Sequence, residues 1–397
     1  MASGFVIAKA VAIHTGPTGI AMLGQVQSLF SAMNGIVAAP AGSGVVRYTA
    51  ENHALGLEAC APWWRASLKW MLLLMAIVLP ISCIFAKPIA QWALGNDDYA
   101  WLVIVTAVAL PLSAANSLVG SVINGQQHYR RFVGLGLIAV IIATAFMLTL
   151  IIKMQLNGAL LAAALFMSIS GLVMVLGSFM QPWFKFKYWW GNVDKAHLKG
   201  VGGYVAMAIT SAACMPLALL MVRNILVDNV GWEQAGHWQA VYKISEVYLG
   251  VITIALSTYF LPKLAMLKGK AAVLTEVQNT AKVVMPIVII LAVAVYLLRD
   301  IAISLVFTEA FRPARNLFAV QLMGDVIKIL AWLYAYPMLA QGATKLFIKT
   351  EIFFSIIFVL LAYLFVSKFG VSGANYSYFL NYTFYYFFVK YSKALTI

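Results

Sequence analysis

The amino-acid sequence predicts an all-α membrane protein that crosses the bilayer many times. Of its 397 residues, 63% are hydrophobic and only 10% are charged, and the mean hydropathy is +0.90. Soluble domains carry charge on about a quarter of their residues. Apolar stretches of about 20 residues, enough to cross a bilayer, recur along the chain. Because backbone groups in lipid must be hydrogen-bonded internally, these stretches are expected to be helices.

Hydropathy divides the chain into about twelve transmembrane helices, in two sets of six. The first set is predicted near 1–15, 18–46, 66–87, 100–124, 131–152 and 157–181. The second set is predicted near 199–227, 234–261, 280–298, 313–341, 346–367 and 372–391. We therefore expect two six-helix bundles, an N-terminal one over 1–190 and a C-terminal one over 191–397. The stretch before Gly16 is short for a span, and we interpret this first helix as truncated.

The two halves repeat each other weakly at an offset of about 215 to 217 residues. Residues 153–159, Lys-Met-Gln-Leu-Asn-Gly-Ala, match residues 368–374, Lys-Phe-Gly-Val-Ser-Gly-Ala, and Arg65 aligns with Lys282. Because each half has an even number of helices, both halves begin on the same side of the membrane. The two halves are therefore predicted to be parallel repeats. Transporters built from such repeats bind substrate at the interface between them.

The formal net charge of +14 reflects the orientation of the chain in the membrane and does not indicate that it binds a polynucleotide. Most Lys and Arg residues fall in the short connections on one predicted side, for example Arg47, Arg65 and Arg130. Cytoplasmic loops ordinarily carry such an excess. Both termini are therefore predicted to be cytoplasmic, and no nucleic-acid partner is expected. The scattered Cys and His residues predict neither a metal site nor a cofactor.

Two predicted helices of the second half carry polar side chains along one face. Each set follows i, i+4, i+7 spacing, and the sets are Gln239, Lys243 and Glu246 in the eighth helix and Gln321, Asp325 and Lys328 in the tenth. Placing a charged side chain in hydrocarbon costs at least about 2.5 kcal/mol. Such a side chain is therefore expected to be paired with another charge, hydrated or required for function. We favour a hydrated central cavity lined by both sets. The alternative is that Lys243 with Glu246, and Asp325 with Lys328, only neutralise each other.

Two further cations, Lys9 and Arg223, lie near the ends of their predicted helices. Each could extend to the membrane interface or line the cavity. Counting them, the predicted spans hold four cations and two acids. This surplus suits an anionic ligand such as a phosphate or a carboxylate.

Four segments of the second half resemble the Wzx-type polysaccharide (O-antigen) flippases, and within them the branch of enterobacterial common antigen synthesis. These segments are 236–248, GHWQAVYKISEVY; 259–264, YFLPKL; 298–300, LRD; and 317–328, LFAVQLMGDVIK. The resemblance extends from Gly16-Pro17-Thr18-Gly19 nearly to the end of the chain. It implies the fold of the multidrug/oligosaccharidyl-lipid/polysaccharide exporter superfamily, with two six-helix bundles around a cavity.

The resemblance also implies a function: transfer of undecaprenyl-diphosphate-linked oligosaccharide repeat units, of lipid III or O-antigen type, from the cytoplasmic to the periplasmic leaflet of the bacterial inner membrane. Carried over to this chain, it makes four cations candidate contacts for the diphosphate: Lys9, Arg223, Lys243 and Arg299. It makes Asp325, Glu246 and Lys328 candidate coupling or gating residues. Gln239 and Gln321 are expected to be polar residues of the cavity wall.

Two other function classes compete with the flippase. A multidrug or cation antiporter of the same fold would prefer an acidic or aromatic cavity, which the surplus of cations disfavours. A lipid-linked oligosaccharide polymerase, a ligase or a membrane glycosyltransferase would need a large catalytic loop, but the longest outside connections, near 88–99 and 299–312, have only about a dozen residues. Polymerase and chain-length proteins of the same pathway are expected partners of a flippase.

Overall fold

The computed structural model describes residues 2–267 and 269–391, and within these ranges the regular structure is helical, with no strand. Predictions that fall on Met1, Lys268 and residues 392–397 lie outside the described residues. The α-helices are α1 (Ala2–Ala38), α2 (Ser43–Asn52), α3 (Leu57–Ile84), α4 (Ala86–Leu94), α5 (Ala100–Gly125), α6 (Tyr129–Ser178), α7 (Phe186–Trp189), α8 (Lys195–Ala255), α9 (Leu261–Met266), α10 (Lys270–Leu297), α11 (Arg299–Val306), α12 (Phe318–Ala340), α13 (Thr344–Phe369) and α14 (Ser372–Tyr391).

Three of these helices contain an interior residue with non-helical backbone angles. These residues are Gly16 in α1 (φ 62°), Gln155 in α6 (φ 47°) and Gly231 in α8 (φ 84°). Glycine adopts a positive φ without steric cost, whereas glutamine does so rarely. Each interruption falls between two of the predicted transmembrane helices, so the polar gaps in the hydropathy pattern correctly located these breaks.

The interruption at Gln155 folds α6 back on itself. Arg131, near its beginning, donates a hydrogen bond to the carbonyl oxygen of Gly177, near its end. Nearer the turn, a Cβ built on Gly158 would lie 2.0 Å from the carbonyl oxygen of Leu150. The two halves of α6 therefore run antiparallel and in close contact. A glycine at position 158 is what allows the backbones to approach so closely.

The protein is an all-α polytopic membrane protein, as the composition predicts. Eight helical stretches of the described residues are long and apolar enough to cross a bilayer, judged by length and composition. Large apolar side chains such as Ile290 and Leu297 of α10 are exposed on the protein surface, where lipid suits them better than water does. The count of twelve crossings stays a prediction.

The described chain forms two compact units. One comprises Leu23–Leu220, and the other comprises Met1–Met22 together with Met221–Ile397. The chain passes from one unit to the other inside α1 and inside α8. These compact units are not the contiguous halves 1–190 and 191–397, whose existence as transport bundles stays a prediction.

Within the unit Leu23–Leu220, α5 packs against the second half of α6. Ser168 Oγ donates a 2.7 Å hydrogen bond to the carbonyl oxygen of Ala109. One turn further along, a Cβ on Gly171 would lie only 1.8 Å from the carbonyl oxygen of Leu112. Small residues that bring two helix backbones together are typical of membrane bundles, because apolar surface alone gives no driving force in lipid.

Within the other unit, α12 is the most deeply buried helix of the site region. Fourteen of its residues are buried, including three with polar or charged side chains. Its Gly324 faces α14: a Cβ there would lie 2.5 Å from the Tyr378 ring. Glycine at 324 therefore makes room for that ring, which belongs to the site described below.

We predict that Gly171→Ala destabilises the protein even though alanine favours a helix over glycine. The added methyl group would collide with the α5 backbone, and overpacking of this kind typically costs about 1–3 kcal/mol. The matched control is Gly136→Ala on the same helix, where a Cβ meets nothing within 4 Å. Thermal unfolding in detergent measures both variants. An unchanged midpoint for Gly171→Ala would mean that α5 and α6 do not approach as described.

Candidate functional site

The candidate site lies on α12, where Gln321, Asp325 and Lys328 share one face of the helix. The rest of α12 is mainly apolar, so this face is a polar strip within a lipid-compatible helix. Asp325 is 0% exposed and Lys328 is 8% exposed. Burial of a charge is tolerated only when hydrogen bonds or other charges compensate it. The partners of these two side chains therefore define the site.

The carboxylate of Asp325 accepts hydrogen bonds from side chains on three helices. The hydroxyl of Tyr248, on α8, donates to Oδ2 at 2.7 Å. The hydroxyl of Tyr378, on α14, donates to Oδ1 at 2.8 Å. The amide of Gln321, one turn earlier on α12, donates to the same oxygen at 3.2 Å. A single carboxylate thus holds α8 and α14 against α12.

The network continues one step further along α14. Asn375 Nδ2 donates to Gln321 Oε1 at 2.9 Å, which orients the Gln321 amide so that its nitrogen faces Asp325. Asn375, Gln321 and Tyr378 are all buried. Such a buried polar network favours one arrangement of its helices, because hydrogen bonds in a low-dielectric interior are electrostatically stronger than in water.

Lys328 is surrounded by aromatic rings. Its Nζ lies 4.9 Å from the centroid of Trp332, 5.2 Å from that of Tyr382 and 5.6 Å from that of Tyr378. A cation over ring faces at these distances is stabilised by the ring quadrupoles. Tyr378 therefore contacts both charges of the site: its hydroxyl binds Asp325 and its ring faces Lys328.

The structure shows different contacts for the two charge pairs that the sequence suggested. Lys243 and Glu246 form an ion pair, with Nζ and Oε2 3.1 Å apart. Asp325 and Lys328 are absent from the ion pairs within 4.0 Å in the part of the chain described. For the α12 pair, tyrosine hydroxyls contact the acid and aromatic rings contact the lysine. The two charges therefore lack a direct salt bridge, and their mutual neutralisation stays a prediction.

The polar face of α8 changes from buried to accessible along its length. Gln239 is buried, whereas the Lys243 and Glu246 side chains are 32% and 45% exposed. An ion pair this exposed contributes little to stability. Arg223, by contrast, is 1% exposed, so the interpretation that it snorkels to the surface is wrong.

Lys9 and Arg299 are both bound to backbone carbonyl groups. Lys9 Nζ donates to the carbonyl oxygen of Ser304 at 2.7 Å and also to that of Phe307, at the C-terminal end of α11. A lysine at this position satisfies unpaired carbonyls and complements the helix dipole. Arg299 donates to the carbonyl oxygen of Tyr296, and its guanidinium stacks 4.2 Å from that ring.

The structure thus brings together only part of the predicted site. Gln321, Asp325 and Lys328 lie in one buried cluster, and Lys243 and Glu246 form a more accessible ion pair on α8. Lys9 and Arg299 have structural partners elsewhere. The roles assigned to all these residues, including Arg223 and Gln239, stay predictions.

The residues that complete the cluster were missed at the level of sequence. They are Tyr248, Trp332, Asn375, Tyr378 and Tyr382. A signal existed in the last helix, where Asn375, Tyr378, Tyr382 and Tyr385 recur at spacings of three and four residues. Polar and aromatic side chains on one face of an apolar helix indicate a buried network as clearly as charges do.

Sequence comparison finds relatives that cover nearly the whole chain. The chain is 29% identical over 392 residues to the "Lipid III flippase" of Escherichia coli (strain K12), covering 97% of this chain and 92% of that protein. The same identity and coverage hold for the "Lipid III flippase" of Shigella flexneri.

Comparison with solved structures shows the fold. An inward-facing multidrug resistance MATE family transporter of the MOP superfamily superposes with a TM-score of 0.77 at 15% identity, covering 97% of this chain and 93% of that one. The lipid II flippase MurJ, in an inward closed conformation, superposes with a TM-score of 0.74 at 13% identity, covering 98% and 84%.

A sequence model of one protein family also matches the chain. The family is described as "Polysaccharide biosynthesis protein", and the match spans residues 65–316. This range is well over half of the chain and runs from within α3 to beyond α11, with Tyr248 and the polar face of α8. The chain therefore belongs to the polysaccharide biosynthesis protein family.

Proposed function

We propose that the protein is a flippase that moves undecaprenyl-diphosphate-linked oligosaccharide repeat units from the cytoplasmic to the periplasmic leaflet by alternating access. The observation that carries this proposal is the 29% identity to lipid III flippases over 97% of the chain. The fold supports it, since both a drug transporter and a lipid-linked substrate flippase share it. The protein is accordingly a transporter and not an enzyme.

Asp325 has the features of a coupling or gating residue. In its ionised form it accepts hydrogen bonds from Tyr248 and Tyr378 at once. A proton on the carboxyl group would turn one acceptor oxygen into a donor and weaken one of these bonds. Because Tyr248 belongs to α8 and Tyr378 to α14, a change at this single carboxylate would loosen one helix relative to the others. Lys328 would be the fixed positive charge that favours the ionised form.

Lys243 is the best-placed cation for the diphosphate. Its side chain is accessible and is held by a single acid, Glu246, at 3.1 Å. A diphosphate carries more negative charge than a carboxylate, so it would compete with Glu246 for the ammonium group. Buried Arg223 would add positive potential from nearby on the same helix, and Gln239 would add hydrogen-bonding capacity. Lys9 and Arg299 would need to leave their carbonyl partners to join them.

The cellular setting belongs to the same proposal. We infer that the protein lies in the bacterial inner membrane with both termini cytoplasmic, since basic residues concentrate on one predicted side. Twelve crossings in two bundles, 1–190 and 191–397, would then form the two halves of the transporter. Polymerase and chain-length proteins of the pathway are the proposed partners.

Deletion of the gene is predicted to trap a complete undecaprenyl-diphosphate repeat unit on the cytoplasmic face. Without the flippase, synthesis on that face continues while transfer stops. Mass spectrometry of the lipid-linked pool, with leaflet assignment by an impermeant sugar-modifying reagent, measures this. A unit accumulating on the periplasmic face would point to a polymerase or ligase, and an unchanged pool with increased drug sensitivity would point to the antiporter.

Asp325→Asn is predicted to lower the transport rate at least about tenfold, equivalent to about 1.4 kcal/mol. Asparagine keeps the size of the side chain but cannot gain or lose a proton. The matched control is Asp228→Asn in the same unit, at an exposed position. Transport is measured by complementation and membrane yield by immunoblotting. Full activity of Asp325→Asn at normal yield would remove Asp325 from the mechanism.

The accessibility of the polar face of α8 can be measured with single cysteines in a cysteine-free protein. Lys243→Cys is predicted to react with a membrane-impermeant thiol reagent, because position 243 is accessible. Gln239→Cys, one turn away on the same face, is the matched control and should react at least about tenfold more slowly, since burial limits thiol reactivity. Protection of both cysteines would contradict an accessible Lys243–Glu246 pair.

A further inference from the structure

The segment that connects α6 to α8 has an unusual composition. Residues 181–190 read Gln-Pro-Trp-Phe-Lys-Phe-Lys-Tyr-Trp-Trp, with six aromatic residues, two lysines and no acid. It contains a short 3-10 helix, Pro182–Phe184, followed by the single turn of α7. None of these residues takes part in the site on α12.

One face of this segment is anchored to α3. Trp64 of α3 is fully buried and stacks on Trp189, with ring centroids 5.5 Å apart and planes 22° apart. It also meets Trp183 edge-on at 6.3 Å. Within the segment, Trp189 Nε1 donates to the carbonyl oxygen of Trp183 at 3.1 Å. The three indoles hold the connection in one position.

The opposite face exposes large apolar side chains. Phe186 is 74% exposed and Trp190 is 61% exposed, and their rings stack with centroids 6.2 Å apart. Phe179 and Met180, which directly follow α6, and Leu176 in its last turn are also exposed, and the Phe179 ring lies 6.0 Å from that of Phe184. Exposed apolar side chains therefore run from the end of α6 into the connecting segment. Exposing these side chains to water would cost roughly 25 cal/mol for each Å² of apolar surface.

Two lysines accompany the exposed rings. Lys185 is exposed. The Lys187 ammonium lies 2.8 Å from Glu58, and this hydrogen bond raises the pKa of Lys187 above its ordinary value. Lys187 is therefore protonated at neutral pH. Aromatic rings beside basic side chains are typical of segments that lie in the headgroup region of a membrane.

We propose that residues 179–190 form a binding surface for anionic phospholipids, with Phe186 and Trp190 inserted among the acyl chains and the lysines in contact with headgroup phosphates. Charge complementarity favours an anionic lipid over a zwitterionic one. The segment directly follows a helix that is long and apolar enough to cross a bilayer, and this position favours a membrane over a soluble partner. Since Trp64 fixes the segment to α3, the bound lipids would hold this end of the unit Leu23–Leu220 at a set depth in the leaflet.

The test is lipid retention by the full-length protein. Purified protein is equilibrated with equal amounts of phosphatidylglycerol and phosphatidylcholine in detergent, and native mass spectrometry counts the copies of each lipid that stay bound. Lys185→Gln/Lys187→Gln should lower the phosphatidylglycerol preference about fivefold or more. The matched control is Lys345→Gln/Lys349→Gln, which removes the same charge from exposed positions of α13 and should leave the preference unchanged.

A second variant, Lys185→Gln alone, keeps the Lys187–Glu58 ion pair and so tests the surface even if the double variant unfolds. It too should reduce the preference. An equal reduction in the α13 control would overturn the proposal in favour of a general charge effect, and an unchanged preference in both lysine variants would overturn it outright. Selective loss of added undecaprenyl diphosphate, with phosphatidylglycerol retained, would assign the surface to the transported lipid instead.

Discussion

The arrangement of the site depends on one constraint: a carboxylate that is completely buried must be supplied with donors. Asp325 receives them from Tyr248 on α8, from Tyr378 on α14 and from Gln321 on its own helix. Each donor must lie within a few tenths of an ångström of its place, because an unpaired charge in a dry interior costs several kcal/mol. The carboxylate therefore fixes the packing of three helices. Apolar contacts alone would allow those helices to slide or rotate, since lipid competes equally for apolar surface.

Much of the fold was predictable because the physics that determines it is local. A polar gap between apolar runs marks the end of a helix in a membrane, and the breaks at Gly16 and Gly231 coincide with glycines. Gln155 is instructive because it is not a glycine. Hydropathy placed a gap between the predicted helices near 131–152 and 157–181, and the break falls in it even though the positive φ is on a residue with no preference for it.

The site was predictable only in part, because its contacts join residues far apart in sequence. Helical periodicity placed Asp325 and Lys328 on one face, and that inference holds. It could not show that Tyr378, 53 residues away, reaches Asp325, or that Lys9 finds Ser304 across 295 residues. A count of four cations against two acids could not show which cations already have partners. The structure shows that Lys9 already binds two carbonyl groups at a helix end.

The separation of Asp325 from Lys328 bears directly on how a buried charge could change its state. In a direct ion pair, protonation of the acid would leave the lysine with no compensating group, and breaking a buried pair in this way costs about 3–5 kcal/mol. Here the lysine lies against Trp332 and Tyr382 as well as Tyr378, and those ring faces remain when the acid is neutral. Gly324 permits this arrangement by leaving space for the Tyr378 ring. Neutralisation of the acid would therefore remove one favourable charge but leave the lysine against the rings of Trp332 and Tyr382.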